Sequence, residues 1–353
     1  MTPRIKNIRS NLKEENLDCL LVTSSANIMY LTGYKGRDSY LLISPKANFY
    51  FTDGRYAQEA VVYLKGKAKI KKIDGSVFDS IAKECHNLKA RRIGVEEQIF
   101  PFASFLKLKK ALGARTHLVP AGGMIERLRQ VKSLDEVRRI KEAIRITQKA
   151  LNFAKKILKT GRKEIEIVGE LERFIRSEGA QGGAFEIIVA SGPNSSYPHH
   201  IPSERKLLKN ELVLIDIGVD FKGYKSDLTR VFFLGKITIL AQQVEQIVLE
   251  AQKRAIKTIR AGIQVKEVDA AAREYIARKG FGDCFNHSLG HGFGLEVHEG
   301  PRLGPNDQTI LKVGMILTVE PAIYIPKKFG IRIEDDILVT KKGCEVLSGA
   351  LNQ

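Results

Sequence analysis

Cysteine is scarce. The 353 residues hold four, at Cys19, Cys85, Cys284 and Cys344, and none forms a CxxC pair. Without such a pair they read as ordinary reduced thiols in a cytoplasmic protein. Long apolar runs are lacking too. None approaches the ~18–20 residues of a membrane span, and CLLV after Asp18 is only strand-length. The opening MTPRIKNIRSNLKEENLD has no apolar segment of the kind that directs export, so no signal peptide is expected. No internal repeat and no low-complexity tract appears.

Acidic residues are outnumbered, 40 against 58 basic ones, giving a net charge of +18. A polyanion partner is one reading of such an excess. The basic residues are spread along the chain (KKID, KARR, KLKK, RKLLK, PKK) and gather in no stripe. No zinc-finger or RNP-type pattern accompanies them. A generally Lys/Arg-rich surface is the better account, and neither nucleic acid nor a membrane is expected as a partner.

The chain exceeds the ~250–300 residues at which single cores stop growing, so two domains are expected. Its N-terminal third alternates helix and strand signals. An amphipathic helix over Arg4 to Asn16 leads to the strand CLLVT, then SYLLIS and NFYFTD, a helix over Val77–Leu88 and the strand RRIGVE. This reads as a small α/β domain over residues 1–123. The Gly-Gly pair in VPAGGMIERLRQVKS marks a linker. Beyond it Ser133 and Glu136 form a capping box, and Val137, Ile140, Ile144 and Leu151 hold helical spacing through Leu158. Residues 124–353 then carry helices near Glu164–Glu178, Ala241–Arg260 and Lys266–Lys279. The strands are FEIIVA, LVLIDIGV, TRVFFLG, MILTVEPAIYI and IRIEDDILVT. Short turns between strands predict a largely antiparallel sheet, and the class is α+β.

Two acids sit where a core strand is expected. Asp216 has Leu-Ile before it and Ile after it, and Asp227 lies in a second apolar run. A hairpin folded about Phe221–Lys222 brings them opposite each other, with Cβ atoms roughly 5 Å apart. A second hairpin about Lys327 brings Glu320 opposite Glu334. Opposed buried carboxylates are destabilising unless protons or cations compensate. A shared proton rescues one pair, hardly two. Histidine points the same way: five of the seven lie in two short Gly/Pro-rich segments, His199 and His200, then His287, His291 and His298. His86 and His117 stand alone and read as structural or exposed. Four carboxylates with an imidazole make an oxygen-rich ligand set that two divalent cations would neutralise. Such a pair lowers the pKa of a bridging water and polarises a carbonyl. The ligand mix suits manganese, cobalt, iron or zinc, and does not choose among them.

At these residues the sequence resembles the aminopeptidase P, prolidase and methionine aminopeptidase superfamily, peptidase family M24. The resemblance rests on FEIIVASGPNSSYPHH, LIDIGVDFKGYKSDLTR, HSLGHGFGLEVHEGPR, VEPAIY and GIRIEDD. NIMYLTGYKGRDSYLLISP and FTDGRYAQEA are similar to the creatinase/prolidase N-terminal domain. The resemblance implies a creatinase-type N-terminal domain and a pita-bread catalytic domain, with an antiparallel sheet flanked by helices.

It also implies roles. Asp216 would bind one metal, Asp227 and Glu334 would bridge both, and His291 and Glu320 would complete the second. Glu320 would also take a proton from the bridging water. His199 would contact substrate or steer the leaving group. His298 would hold the carbonyl oxygen. His287, Tyr324 and Arg332 would support substrate and ligands. Arg302 is a candidate for a dipeptide's free carboxylate. The family often has Gly where His200 stands, so either neighbour fits the role given to His199, which register favours.

The activity implied is Xaa-Pro aminopeptidase, by attack of a metal-bridging hydroxide on the bond before proline. The alternative is an Xaa-Pro dipeptidase (prolidase). A metal-free relative of creatinase type is disfavoured because all five ligand positions are intact. A non-catalytic pita-bread binding protein has only the positive charge behind it. The expected cofactors are two divalent ions, manganese first, with cobalt, zinc or iron as alternatives. The expected substrates are peptides with proline second, and the expected assembly is a homodimer.

Overall fold

The computed structural model describes residues 3–349. They fall into two compact units that divide between Arg129 and Gln130. Among the described residues, no helix is long and apolar enough to cross a membrane. All four cysteines are free.

The first unit is a six-stranded mixed sheet. Its order is Lys69–Lys72, Asn48–Thr52, Tyr40–Ile43, Cys19–Val22, Arg92–Val95, His117–Pro120. Helices Val77–Asn87 and Phe102–Leu112 bury Phe78, Ile81, Leu108 and Leu112 against Leu21, Leu42, Phe51 and Ile93. The edge strand KIKK exposes Lys69 and Lys72. A lysine-rich edge discourages pairing with another chain, which accounts for part of the positive charge. Short elements escaped the sequence pattern. One is helix Ser25–Thr32, capped by Ser24 Oγ and closed by Gly33 at φ 75°. Another is helix Met124–Arg129, inside the segment expected to be a linker.

In the second unit every strand pairing is antiparallel. Ser133 caps helix Leu134–Ile157 with the full capping box. That helix buries Val137, Ile140, Ile144 and Leu151 as the spacing predicts. Helices Ile239–Thr258 and Val265–Arg278 pack their apolar faces on Leu317, Val319, Ile323, Ile331 and Ile337.

The first hairpin differs from the sequence expectation. Lys222 and Gly223 form its turn, both with positive φ, the signature of a two-residue type I′ connection. The centre therefore lies one position later than expected. Asp216 faces Thr229, not Asp227. Asp227 ends up diagonal to Asp216 on the same face, since alternation preserves the side.

The second hairpin has the expected register. Val319 pairs with Asp335 on one side, and Ala322 pairs with Arg332 on the other. What was not foreseen is a break. MILTVEPAIYI splits into Ile316–Val319 and Ala322–Ile325, and IRIEDDILVT into Phe329–Arg332 and Asp335–Val339. Both breaks fall on the acids. Pro321 has no N–H to give a ladder. The Glu320 N–H donates instead to Leu289 O (2.8 Å) and the Glu334 N–H to Thr229 O (3.2 Å). Both glutamates thus stand where the hairpin passes from one sheet to another.

Candidate metal centre

Two hairpins and one further strand converge here. Strand Glu211–Ile217 supplies Asp216 from the middle of its sheet. Asp227 stands just before strand Leu228–Leu234. Glu320 and Glu334 come from the two strand breaks, and His291 from strand Gly290–Gly292. One ligand atom each of Asp227, His291 and Glu334 lie within 4.8 Å of one another. His291 Nε2 is 3.7 Å from Asp227 Oδ2 and 3.6 Å from Glu320 Oε1.

The electrostatics are those of an anion cluster. Burial pushes the Asp227 carboxyl well above its ordinary range, and Glu334, Asp216 and Glu320 add to the push. Glu334 is raised in the same way, by burial and then by Glu320 and Asp216. Glu320 is pushed up to about 8 by burial, against the pull of Arg332 and with Asp216 adding to it. Asp336, fully buried, is raised by burial as well, and its Oδ2 accepts the Asp227 N–H at 3.4 Å. The buried Oδ1 atoms of Asp216 and Asp336 have no hydrogen-bond partner among the described residues. Hard oxygen donors in excess of their protons and partners fit a divalent cation.

The imidazole has the geometry of a neutral nitrogen donor. His291 Nδ1 lies 3.1 Å from Gly292 O and so carries the proton, leaving the Nε2 lone pair directed at the acids. Burial, with the charge of His298 nearby, lowers its pKa to about 4, so the ring is neutral.

Arg332 organises the surroundings. Its buried guanidinium donates to Asp216 Oδ2 (2.7 Å), Tyr324 Oη (2.6 Å), Thr229 Oγ1 (3.0 Å) and Pro198 O (3.3 Å). Tyr324 Oη also lies 3.2 Å from His287 Nε2. Burial raises the Tyr324 phenol to about 12, so it stays protonated. Burial and the charge of Arg332 lower His287 to about 4. His298 packs edge-on to His291, with centroids 4.5 Å apart. Burial and the charge of His199 lower its pKa. His199 itself is exposed. Arg302 is exposed too, cross-strand from His291.

Isolated His86 binds the Leu112 carbonyl, 3.0 Å away, and His117 is exposed on its strand. Thr229, Thr318 and Asp336 were missed by the sequence reading. Thr229 Oγ1 donates to Glu334 Oε2 (2.7 Å), and Thr318 Oγ1 accepts the His291 N–H (3.1 Å). Asp336 had a visible signal as the last acid of IEDD. The threonines had none, because their role comes from cross-strand register.

The fold and this centre define a two-unit hydrolase of the metallopeptidase class. The chain belongs to metallopeptidase family M24, which matches residues 138–341; residues 4–131 match the creatinase/prolidase N-terminal domain. It is 35% identical over 350 residues to the Xaa-Pro dipeptidase of Pyrococcus horikoshii, covering 99% of this chain and 97% of that one. An Xaa-Pro dipeptidase structure from Bacillus anthracis superposes with a TM-score of 0.95 at 38% identity, covering 99% and 98%. An X-Pro aminopeptidase structure from Thermotoga maritima gives 0.90 at 35% identity, covering 99% of each chain. Family M24 enzymes use divalent metals.

Proposed function

We propose that this metallopeptidase hydrolyses Xaa-Pro dipeptides, with Asp216, Asp227, His291, Glu320 and Glu334 holding two divalent ions. The sequence alone leaned to the aminopeptidase. One observation moves the reading to dipeptides. A cavity of about 530 Å³ is lined by His287, Arg273 and Arg302. Arg273 is already committed, to Asp269 at 2.7 and 2.8 Å and to the Phe285 and His287 carbonyls. The Arg302 side chain gives only Nε, to Ser288 Oγ at 2.6 Å, and makes no ion pair among the described residues. Its two terminal nitrogens form a fork suited to a free carboxylate. A dipeptide places its carboxylate one residue from the scissile bond.

With divalent ions bound, the centre supplies Lewis acidity that makes water nucleophilic near neutral pH and polarises the scissile carbonyl. The chain's own groups do the rest. Glu320, an ionised carboxylate once the divalent charge is in place, accepts a proton from the attacking water. Neutral His298 donates a hydrogen bond to the carbonyl oxygen as negative charge grows there. His199 steers the leaving proline nitrogen, which carries no N–H in the peptide. His287 and Tyr324 border the bound proline, and Arg332 holds Asp216 in place. The relatives named Xaa-Pro dipeptidase support this reading.

The test compares kcat/KM on Xaa-Pro and Xaa-Pro-Yaa with metal-reconstituted protein. Strong preference for the dipeptide is expected. Equal cleavage of the longer peptide replaces this reading with the aminopeptidase.

A further inference from the structure

His200 is next to His199 in sequence, but its ring goes elsewhere: Nε2 lies 2.9 Å from Glu164 Oε2. Glu164 opens helix Glu164–Ser177 and is fully buried. Among the described residues it hydrogen-bonds to none of the candidate metal ligands. Its Oε1 accepts from Ser191 N (2.8 Å), Ser191 Oγ (2.7 Å) and Asn194 Nδ2 (3.0 Å). Its Oε2 accepts from Ser203 N (3.1 Å) and Ser203 Oγ (2.7 Å) as well as His200. One carboxylate therefore fastens the segment 191–203 at four residues. Burial alone would raise this carboxyl, but the donors from Ser191, His200 and Ser203 outweigh it and hold it at about 2. Glu164 thus stays an anion, and charge-assisted bonds to it are the stronger kind.

The same segment is held from the other side. The Gly330 N–H donates to Ser195 Oγ (2.9 Å), and Arg332 Nη1 donates to Pro198 O (3.3 Å). His199 is therefore bracketed by Pro198, tied to Arg332, and His200, tied to Glu164. Its own side chain is exposed, within electrostatic range of His287 and His298. A residue that makes contact only through an exposed side chain depends on its backbone for placement.

We propose that His200 is a positioning residue: bound to Glu164, it fixes the chain on the far side of His199 and so sets where His199 meets the substrate. What His199 does there rests on the Xaa-Pro peptidase reading; the fastening of the segment does not. A glycine at 200 has no side chain to reach Glu164 and leaves the backbone freer. His200 thus replaces flexibility with a tether.

The experiment pairs His200→Ala with His200→Gln, whose amide can still donate to Glu164. Hydrogen–deuterium exchange of peptides covering 194–203 is measured on the metal-free protein, and kcat, KM and the pH profile on the reconstituted enzyme. For His200→Ala we expect faster exchange in that segment and kcat about 10-fold lower, with the shape of the pH profile unchanged. His200→Gln should return both exchange and kcat towards the parent. Unchanged exchange and turnover in His200→Ala overturns the proposal. So does a His200→Gln protein that exchanges like the parent yet turns over as slowly as His200→Ala, since the ring itself would then be reacting. If no form cleaves Xaa-Pro substrates, the function reading fails, and exchange alone decides the tether: raised in His200→Ala and restored in His200→Gln supports it, no change rejects it.

Discussion

Arg332 Nη2 lies 2.7 Å from Asp216 Oδ2, with the two side chains 4% and 12% exposed. The pair joins two hairpins that are far apart in sequence. Asp216 sits on the first, Arg332 on the second, and Thr229 between them bonds both Arg332 and Glu334. An acid that binds metal through one oxygen needs the other held still. Asp216 meets that requirement, with Oδ2 on Arg332 and Oδ1 without a hydrogen-bond partner among the described residues.

Arg332→Lys should therefore be a severe change despite keeping the charge. A lysine ammonium cannot serve Asp216, Tyr324, Thr229 and Pro198 at once from a planar fork. Loss of partners that orient ligands costs roughly 10–100-fold in metal affinity or activity. Calorimetric metal titration and steady-state kinetics should both show losses in that range. Values within twofold of the parent would remove Arg332 from this role.

Metal removal should make stability fall as pH rises. The Glu320 carboxyl stands at about 8 in the folded protein against 4.5 as the ordinary value. Between those limits the metal-free native state holds a proton that the unfolded chain has released. Unfolding then releases protons, and stability declines with pH through that window, by up to ~1.4 kcal/mol per pH unit for each such group. His287 and His291, lowered to about 4, favour the fold increasingly as pH rises to 6.5, so the comparison is made above that window: thermal unfolding of stripped protein at pH 6.5 and pH 8 should show the lower midpoint at pH 8. Divalent metal should reverse the order. A stripped protein more stable at pH 8 would contradict the cluster's electrostatics.

Much of this was legible in the chain. The second hairpin's register follows from the positions of Glu320, Lys327 and Glu334 alone, because strand alternation and one turn fix it. The first turns one position later than Phe221–Lys222, where composition alone centres it. The observed turn uses Lys222 and Gly223, the pair that accepts positive φ. The strand breaks at Glu320 and Glu334 were not legible, since they depend on hydrogen bonds to Leu289 and Thr229 from remote segments. His200 was ambiguous for the same reason. Its partner, Glu164, lies at the start of a helix that looks ordinary in sequence.

Arg302→Met should separate the two substrate lengths. If Arg302 holds the free carboxylate of a dipeptide, its loss should raise KM for Xaa-Pro by about 10–100-fold, the value of a charge-assisted contact of about 1.5–3 kcal/mol. Cleavage of an Xaa-Pro amide, which lacks that carboxylate, should change little. Equal losses on both substrates would assign Arg302 a structural part through Ser288 instead.

Gly218→Ala tests how the first hairpin delivers Asp227. Gly218 sits between strands Glu211–Ile217 and Val219–Phe221. Its O accepts the Ala184 N–H at 2.9 Å. A Cβ there would overlap the Ser226 carbonyl oxygen and stand 2.8 Å from Phe185 Cε1. Ser226 is backbone next to Asp227, so it cannot turn away as a side chain would. Relief must come from moving the chain that carries Asp227. Overpacking of this kind costs roughly 1–3 kcal/mol, which denaturant titration of the metal-free protein should detect. Metal affinity should fall as well, because the Asp227 carboxylate moves with its backbone. Gly343→Ala is the control: a Cβ there meets nothing within 4 Å, so both readouts should stay near the parent. A Gly218→Ala protein indistinguishable from that control would show that the close approach at Ser226 does not set the position of Asp227.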